Sequence, residues 1–436
     1  KIENALSFAK KSFQQWRQTP LSERKKIISL FVDNFLKNND EIEDQLCRQM
    51  GRPISQCGGE MRGFEERARY MIEKSDQALE SIISKKDNEF DNFISKDPLG
   101  TIFIIAPWNY PYNTSVNSVV PSLLAGNCVI LKHSSQTPLC AEQLYKAAKS
   151  SGIPNGVFQF LHLDHNSTSK IIADNRIDHV LFTGSVSGGK QVKKAIGERF
   201  INAGLELGGK DSAYVAPDAD IKQSAELLVD GAVYNCGQCC CGIERVYVHV
   251  DVVEPFLAEC QGLMEDYVLG DPLDANTTLG PLAVADSATL METQISEATT
   301  HGASILFGGN MRNIGQGTFF EPTLLTVNDN KLAIMQEENF GPILPVMKVL
   351  NDEEAIAHIN DSKYGLTAVI CTSSIDRAEC FANATNVGTV YMNRCDYLDP
   401  ALPWTGVKAS GKGSSLSQYG LLAMTRPKSK HFRTHF

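Results

Sequence analysis

The chain reads as α/β, with two parallel sheets covered by helices, a helical lead-in and a short extended arm. Three observations predict this. Short apolar runs at 101–106, 128–132, 157–161 and 179–182 alternate with polar-apolar helical stretches, the pattern of parallel strands buried on both faces. A second alternation starts near Gly208, with runs at 212–216, 245–250 and 366–371. With 436 residues, the chain is long enough for two packed domains.

The elements follow in order. Residues 1 to about 80 read as helical, because Leu21-Ser22-Glu23-Arg24 opens a run with Ile27, Ile28, Leu30, Phe31 and Phe35 at helix spacing. Between 81 and 98, Ser and Lys mix with Phe90, Phe93 and Ile94 and no helix period emerges. The tail 425–436 is basic and aromatic, suited to a closing strand. The expected division is 1–80 with 99–207, then 208–424, with 81–98 and 425–436 as arm and tail. The boundary at 207/208 falls after Glu206 and before two glycines.

Apolar residues make up 42% and charged residues 21%, as in ordinary soluble globular proteins. The net charge of −10 argues against nucleic acid as a partner, and the basic stretch 408–412 is too short to reverse it. No apolar run approaches the roughly 20 residues of a membrane span. Twelve scattered cysteines, three of them consecutive, are poor geometry for a disulfide framework. They suit reduced thiols and a cytoplasmic location. The chain begins at Lys1, which leaves a targeting segment upstream open.

The chemistry concentrates in three segments. Asn235-Cys236-Gly237-Gln238-Cys239-Cys240-Cys241 offers a thiol nucleophile, whose thiolate is the reactive form. Adjacent side chains point in different directions, so at most one of the three thiols is expected in a given pocket. Leu205-Glu206-Leu207-Gly208-Gly209-Lys210 sets a carboxylate between apolar residues, where burial raises its pKa towards that of a general base. Pro107-Trp108-Asn109-Tyr110-Pro111 follows a buried strand. A metal reading of Cys236-x-x-Cys239 lacks a second pair at suitable spacing, so no metal is expected. The other cysteines, including Cys47, Cys128, Cys140, Cys260, Cys371, Cys380 and Cys395, read as small buried hydrophobes.

These segments, with 126–132, Phe182-Thr183-Gly184-Ser185, 337–342 and Lys408-Ala409-Ser410-Gly411, closely resemble the NAD(P)-dependent aldehyde dehydrogenase superfamily over nearly the whole chain. The resemblance implies a Rossmann-like parallel-sheet cofactor domain, an α/β catalytic domain and a small oligomerisation arm in a homodimer or homotetramer. It implies Cys240 as nucleophile, Glu206 as general base and Asn109 as oxyanion donor with the Cys240 backbone N–H. A retained Glu206 favours hydrolysis of the thioester over transfer to coenzyme A. For the cofactor it implies the Gly184, Ser185 and Gly189 turn, Lys132 at the adenosine ribose, Glu338 at the nicotinamide ribose, and Phe340 and Trp108 beside the ring.

Two positions depart from the family. Ser135 stands where NAD-preferring relatives carry a glutamate that would repel a 2′-phosphate, which predicts NADP or dual use over strict NAD. Ser414-Ser415 replace an Arg-Glu pair, which removes an acid and leaves deacylation to Glu206. The substrate is a small-molecule aldehyde. Tyr110, Tyr112 and Tyr234 suggest an apolar funnel, and Cys239 and Cys241 either line it or pack behind it. A carboxylate-bearing semialdehyde would need a cation at the mouth, for which Arg394 is the candidate. A catalytically spent binding or structural protein is the alternative from another class.

Overall fold

The computed structural model describes residues 1–435; position 436, the end of the expected tail, lies outside them. Helices Ile2–Trp16, Leu21–Leu36, Asn39–Met50 and Ile54–Leu79 fill the lead-in. The last buries Cys57, Met61, Phe64, Ala68 and Met71, the spacing of a core-facing stripe. Glu60 lies on that stripe and is buried with it.

Six strands form the first sheet, in the order Gly411–Lys412, Asn202–Glu206, His179–Thr183, Thr101–Ala106, Cys128–His133 and Phe158–Phe160. All neighbours except the first pair are parallel. Parallel strands finish on one edge, so the segments after Ala106, His133, Thr183 and Glu206 emerge there together. Ile105 pairs with both Lys132 and Phe182, which places those two ends on either side of the central strand. That central strand is buried at every residue, the reason for its unbroken apolar run.

Seven strands form the second sheet, in the order Ser304–Phe307, Thr323–Val327, Ile343–Val349, Ile243–His249, Asp211–Val215, Thr367–Cys371 and Thr389–Met392. Only its first strand runs antiparallel. Each sheet has its own apolar core. Residues 404–424 return to the first one: Trp404, Leu416, Leu421 and Met424 are buried there, and Gly411 pairs with Glu206. The alternation of apolar runs gives no sign of this return.

Strands Ile82–Lys86, Phe90–Pro98 and Thr425–Arg433 make a separate antiparallel sheet, with the tail strand pairing along Phe90–Pro98. Ile82, Ile83 and Phe432 are exposed on it. Among the described residues, no helix is long and apolar enough to cross a membrane.

Candidate active site

Helix Ile221–Val233 gives way to three residues in the left-handed region, with φ of 53° at Asn235, 59° at Cys236 and 69° at Gly237. Such a run is disfavoured for L-residues and needs support. A side chain at Gly237 would sit 2.2 Å from the Gly341 carbonyl oxygen, so glycine is required there. Gln238 supplies the support: its Nε2 donates to the Asn235 carbonyl at 3.0 Å and its Oε1 accepts from Ala283 N at 2.9 Å.

This turn overturns the expectation that only one thiol faces the pocket. Cys239, Cys240 and Cys241 all line one cavity of about 590 Å³, with their sulfurs within 4.8 Å of one another. Alternating directions belong to regular strands, and this loop is not one. Cys240 is half-buried and its neighbours are buried. Contact with the Cys239 and Cys241 sulfurs lowers the Cys240 pKa, against the upward push of burial. Cys240 and burial push Cys239 up to about 12, and Cys239, Cys240 and burial push Cys241 well above the usual range. Cys236 points away, donating to the Gly280 carbonyl at 3.1 Å.

Asn109 reaches the same cavity from the first sheet. Its Nδ2 donates to the Gln238 carbonyl at 3.2 Å, which leaves its second N–H for a ligand. Arg52 ties the two loops together. It donates to the Asn109 carbonyl, to Asn235 Oδ1 at 3.0 Å and to Glu60 in a fully buried ion pair. Glu60 in turn accepts from Tyr112 N at 2.7 Å and Asn113 N at 3.1 Å, capping the helix that Pro111 opens. Reading 1–80 only as amphipathic helix missed this pair. The available signal was an acid, Glu60, on an apolar stripe, because a buried acid needs a partner.

Glu206 ends its strand with Thr183 Oγ1 donating to one carboxylate oxygen at 3.0 Å and Ser415 Oγ donating to the other at 2.5 Å. Burial raises its pKa, while Ser415, Thr183 and the nearby Arg67 pull it down. Ser415 therefore fills the position of the missing acid with a donor to the base. The glycines behind it have separate tasks. A Cβ at Gly208 would lie 2.3 Å from the Glu338 carboxylate, and one at Gly209 would lie 2.4 Å from the Cys240 carbonyl.

The other side of the cavity holds Trp108, Gly184, Ser185, Glu338 and Phe340. Trp108 meets Phe340 edge to face at 5.6 Å. Glu338 accepts from Gly209 N at 3.0 Å, and burial, with Glu244 nearby, raises its pKa. Glu244 pairs with Lys210 at 2.7 Å and accepts from Asn339 N and Phe340 N, both at 2.9 Å. That holds Phe340 at its φ of 56°. Ser185 caps helix Val186–Ile196, accepting from Gly188 N at 3.1 Å. Gly189 packs on Leu207, where a Cβ would come within 2.7 Å.

Lys132, Ser135 and Gly189 do not line the cavity; they continue along the same sheet edge. Lys132 is buried with no acidic partner among the described residues, and burial lowers its pKa. A buried lone cation, glycine-lined turns and an 11-residue helix opening at the strand end fit a dinucleotide's phosphates and ribose.

Three expectations for the substrate end need correction. Tyr112 is fully buried and packs on Phe35 at 5.0 Å, so it belongs to the core. Arg394 lies 3.7 Å above the Tyr397 ring and does not line the cavity. Cys395 lines the cavity and Cys380 is exposed, so neither is a buried hydrophobe. Tyr110 and Tyr234 do line the cavity, and Arg52 stacks over Tyr110 at 4.6 Å. Three cations do line it: Arg52, tied to Glu60, and Arg62 and Arg67, both from helix Ile54–Leu79. Arg67 lies near Glu206. It donates to the Asn113 carbonyl at 3.0 Å and has no carboxylate partner among the described residues.

The aldehyde dehydrogenase family model matches residues 1–430. An aldehyde dehydrogenase of Paenarthrobacter nicotinovorans is 33% identical over 96% of this chain and 92% of its own length. The succinate semialdehyde dehydrogenase Sad of Escherichia coli (strain K12), named for NAD(P)⁺, is 32% identical over 96% of this chain and 90% of its own. A solved succinic semialdehyde dehydrogenase from Streptococcus pyogenes, in complex with NADP⁺, superposes with a TM-score of 0.94 at 29% identity, covering 99% of this chain and 95% of that one. With its cysteine, glutamate and asparagine gathered on one cavity beside a nucleotide-fitting sheet edge, the chain belongs to the aldehyde dehydrogenase family of NAD(P)-dependent oxidoreductases.

Proposed function

We propose that the chain oxidises a carboxylate-bearing aldehyde to the acid, with Cys240 as nucleophile, Asn109 as oxyanion donor and Glu206 as base. The observation that carries this is the half-buried Cys240 sulfur on one cavity with Asn109 and Glu206. The thiolate adds to the carbonyl carbon, and the free Asn109 N–H stabilises the oxygen that becomes negative. A bound nicotinamide would supply the hydride acceptor that the side chains lack. Glu338, Phe340 and Trp108 would hold the ring end, and Lys132 with the Gly184-Ser185 turn would hold the rest. Glu206 then takes a proton from water, which attacks the Cys240 thioester and releases acid and thiolate.

Arg67 supports the choice of tail. It is a guanidinium in the cavity wall that makes no ion pair among the described residues, and the buried Tyr110 hydroxyl, a possible donor, also lacks a partner there. Several relatives are named succinate semialdehyde dehydrogenases, which agrees with an anionic tail. Ser135, exposed at the sheet edge and carrying no charge, supports NADP⁺ over NAD⁺. Ser135→Glu should invert that preference in kcat/KM.

Residues 1–80 and 99–207, with 404–424 returning, would form the cofactor domain and 208–403 the catalytic one. Unpaired outer edges and the exposed Ile82, Ile83 and Phe432 support a homodimer or homotetramer built through the arm. Twelve free thiols support a cytoplasmic location. NAD(P)H formation across neutral and carboxylated aldehydes, with Cys240→Ala alongside, tests the reading. Turnover surviving in that variant, or absent with every aldehyde in the parent, would overturn it.

A further inference from the structure

We propose that Cys239, Cys240, Cys241 and Asp396 form a site for one thiophilic divalent cation, zinc above all, whose binding captures the nucleophile and stops turnover. The activity part of this rests on Cys240 as nucleophile; the binding part does not.

The geometry is already close to what the ion needs. Three sulfurs lie within 4.8 Å of one another, and Cys239 and Cys241 are 3.5 Å apart. Tetrahedral zinc with Zn–S bonds of about 2.3 Å sets its sulfurs about 3.8 Å apart. The Cys239–Cys241 spacing is about 0.3 Å below that value and no sulfur pair exceeds it by more than about 1.0 Å, so small side-chain rotations close the set. Asp396 Oδ1 stands 3.0 Å from the Cys239 sulfur and 3.2 Å from the Cys241 sulfur. A carboxylate fourth ligand would lie about 3.5 Å from each sulfur.

Charge points the same way. The Asp396 side chain accepts only from those two thiols, and no Lys, Arg or His pairs with it among the described residues. Its neighbour Arg394 is turned onto Tyr397. Asp230 lines the same end of the cavity. A half-buried acid among sulfurs with no counter-ion is favourable for a soft cation. The left-handed turn at Asn235, Cys236 and Gly237 is what lets consecutive residues converge on one point. Access is through the cavity, where Cys240 is half-buried.

Binding needs no oxidant. Each thiol that ligates releases its proton to solvent, and removal of the ion returns the thiol unchanged.

The test is titration of the reduced full-length protein with Cd²⁺, read by the cadmium–thiolate charge-transfer band, and with Zn²⁺, read by NAD(P)H formation. One tightly bound equivalent is expected, with zinc inhibition relieved by EDTA in the absence of reductant. Cys239→Ser with Cys241→Ser should weaken cadmium binding by at least about a hundredfold, since loss of even an outer-shell partner costs about 10–100-fold. Asp396→Asn should weaken it less. Retained cofactor binding in each variant shows that it is folded. Cys380→Ser removes the exposed thiol and should leave the titration unchanged. A missing band at one equivalent, or a band that survives the double variant, overturns the site. Cadmium bound without zinc inhibition would overturn capture of the nucleophile.

Discussion

The two walls of the cavity are built from different chemistry. One comes from helices Ile54–Leu79 and Pro111–Leu124 and presents Arg67, Asn113 and Asn117. The other comes from the cysteine turn and the loop around 396, and presents sulfur and the acids Asp230 and Asp396. Glu66 of the first wall is occupied by the Tyr397 hydroxyl at 2.6 Å. An anionic tail is thus attracted to one side and repelled from the other. Under the proposed function this difference would orient an aldehyde, tail towards Arg67 and carbonyl towards Cys240. On the two proposals above, Arg67 takes a carboxylate and Asp396 a metal cation.

The walls are joined through Arg52, and cutting that joint should have the largest effect. Glu60→Gln leaves the Arg52 guanidinium buried without its counter-charge, which costs about 3–5 kcal/mol and lowers the denaturant midpoint. An unchanged midpoint would show that the pair is not what holds the loops. Asn109→Ala keeps both walls and removes the donor between them. It should lower kcat by about 10²–10³ with the thermal midpoint little altered. A loss confined to KM would remove Asn109 from the oxyanion role.

Ser415→Ala is expected to be smaller and to depend on pH. The Ser415 hydroxyl stabilises the Glu206 carboxylate and lowers its pKa. Its loss raises that pKa, so less base is ionised at a given acidic pH. The acidic limb of kcat should move to higher pH, with the alkaline plateau retained and Ser415→Thr restoring the parent profile. A uniform fall at every pH would make Ser415 merely structural.

Much of this was legible in the sequence because strands buried on both faces write themselves as apolar runs. The central strand Thr101–Ala106 is the clearest instance. Cys240, Glu206 and Asn109 were legible because each sits in a motif at the end of such a run. Arg67 and Arg52 were not. They belong to the lead-in, whose helical period says which face is apolar but not what a charge on that face meets. The convergence of three cysteines was hidden for another reason. It depends on a left-handed turn, for which Asn235 and Gly237 are weak signals and Cys236 is none. Asp396 sits at a positive φ of its own, 47°, in a loop without any period.

The most direct test of the two-wall account is the ratio of kcat/KM for succinate semialdehyde to that for an uncharged aldehyde of equal length, in the parent and in Arg67→Met. The account predicts a parent ratio of at least about 10–100, the worth of one buried charge-assisted contact, falling towards one in the variant while the uncharged aldehyde is turned over as before. A parent that favours the uncharged aldehyde, or a ratio that survives the substitution, would contradict it.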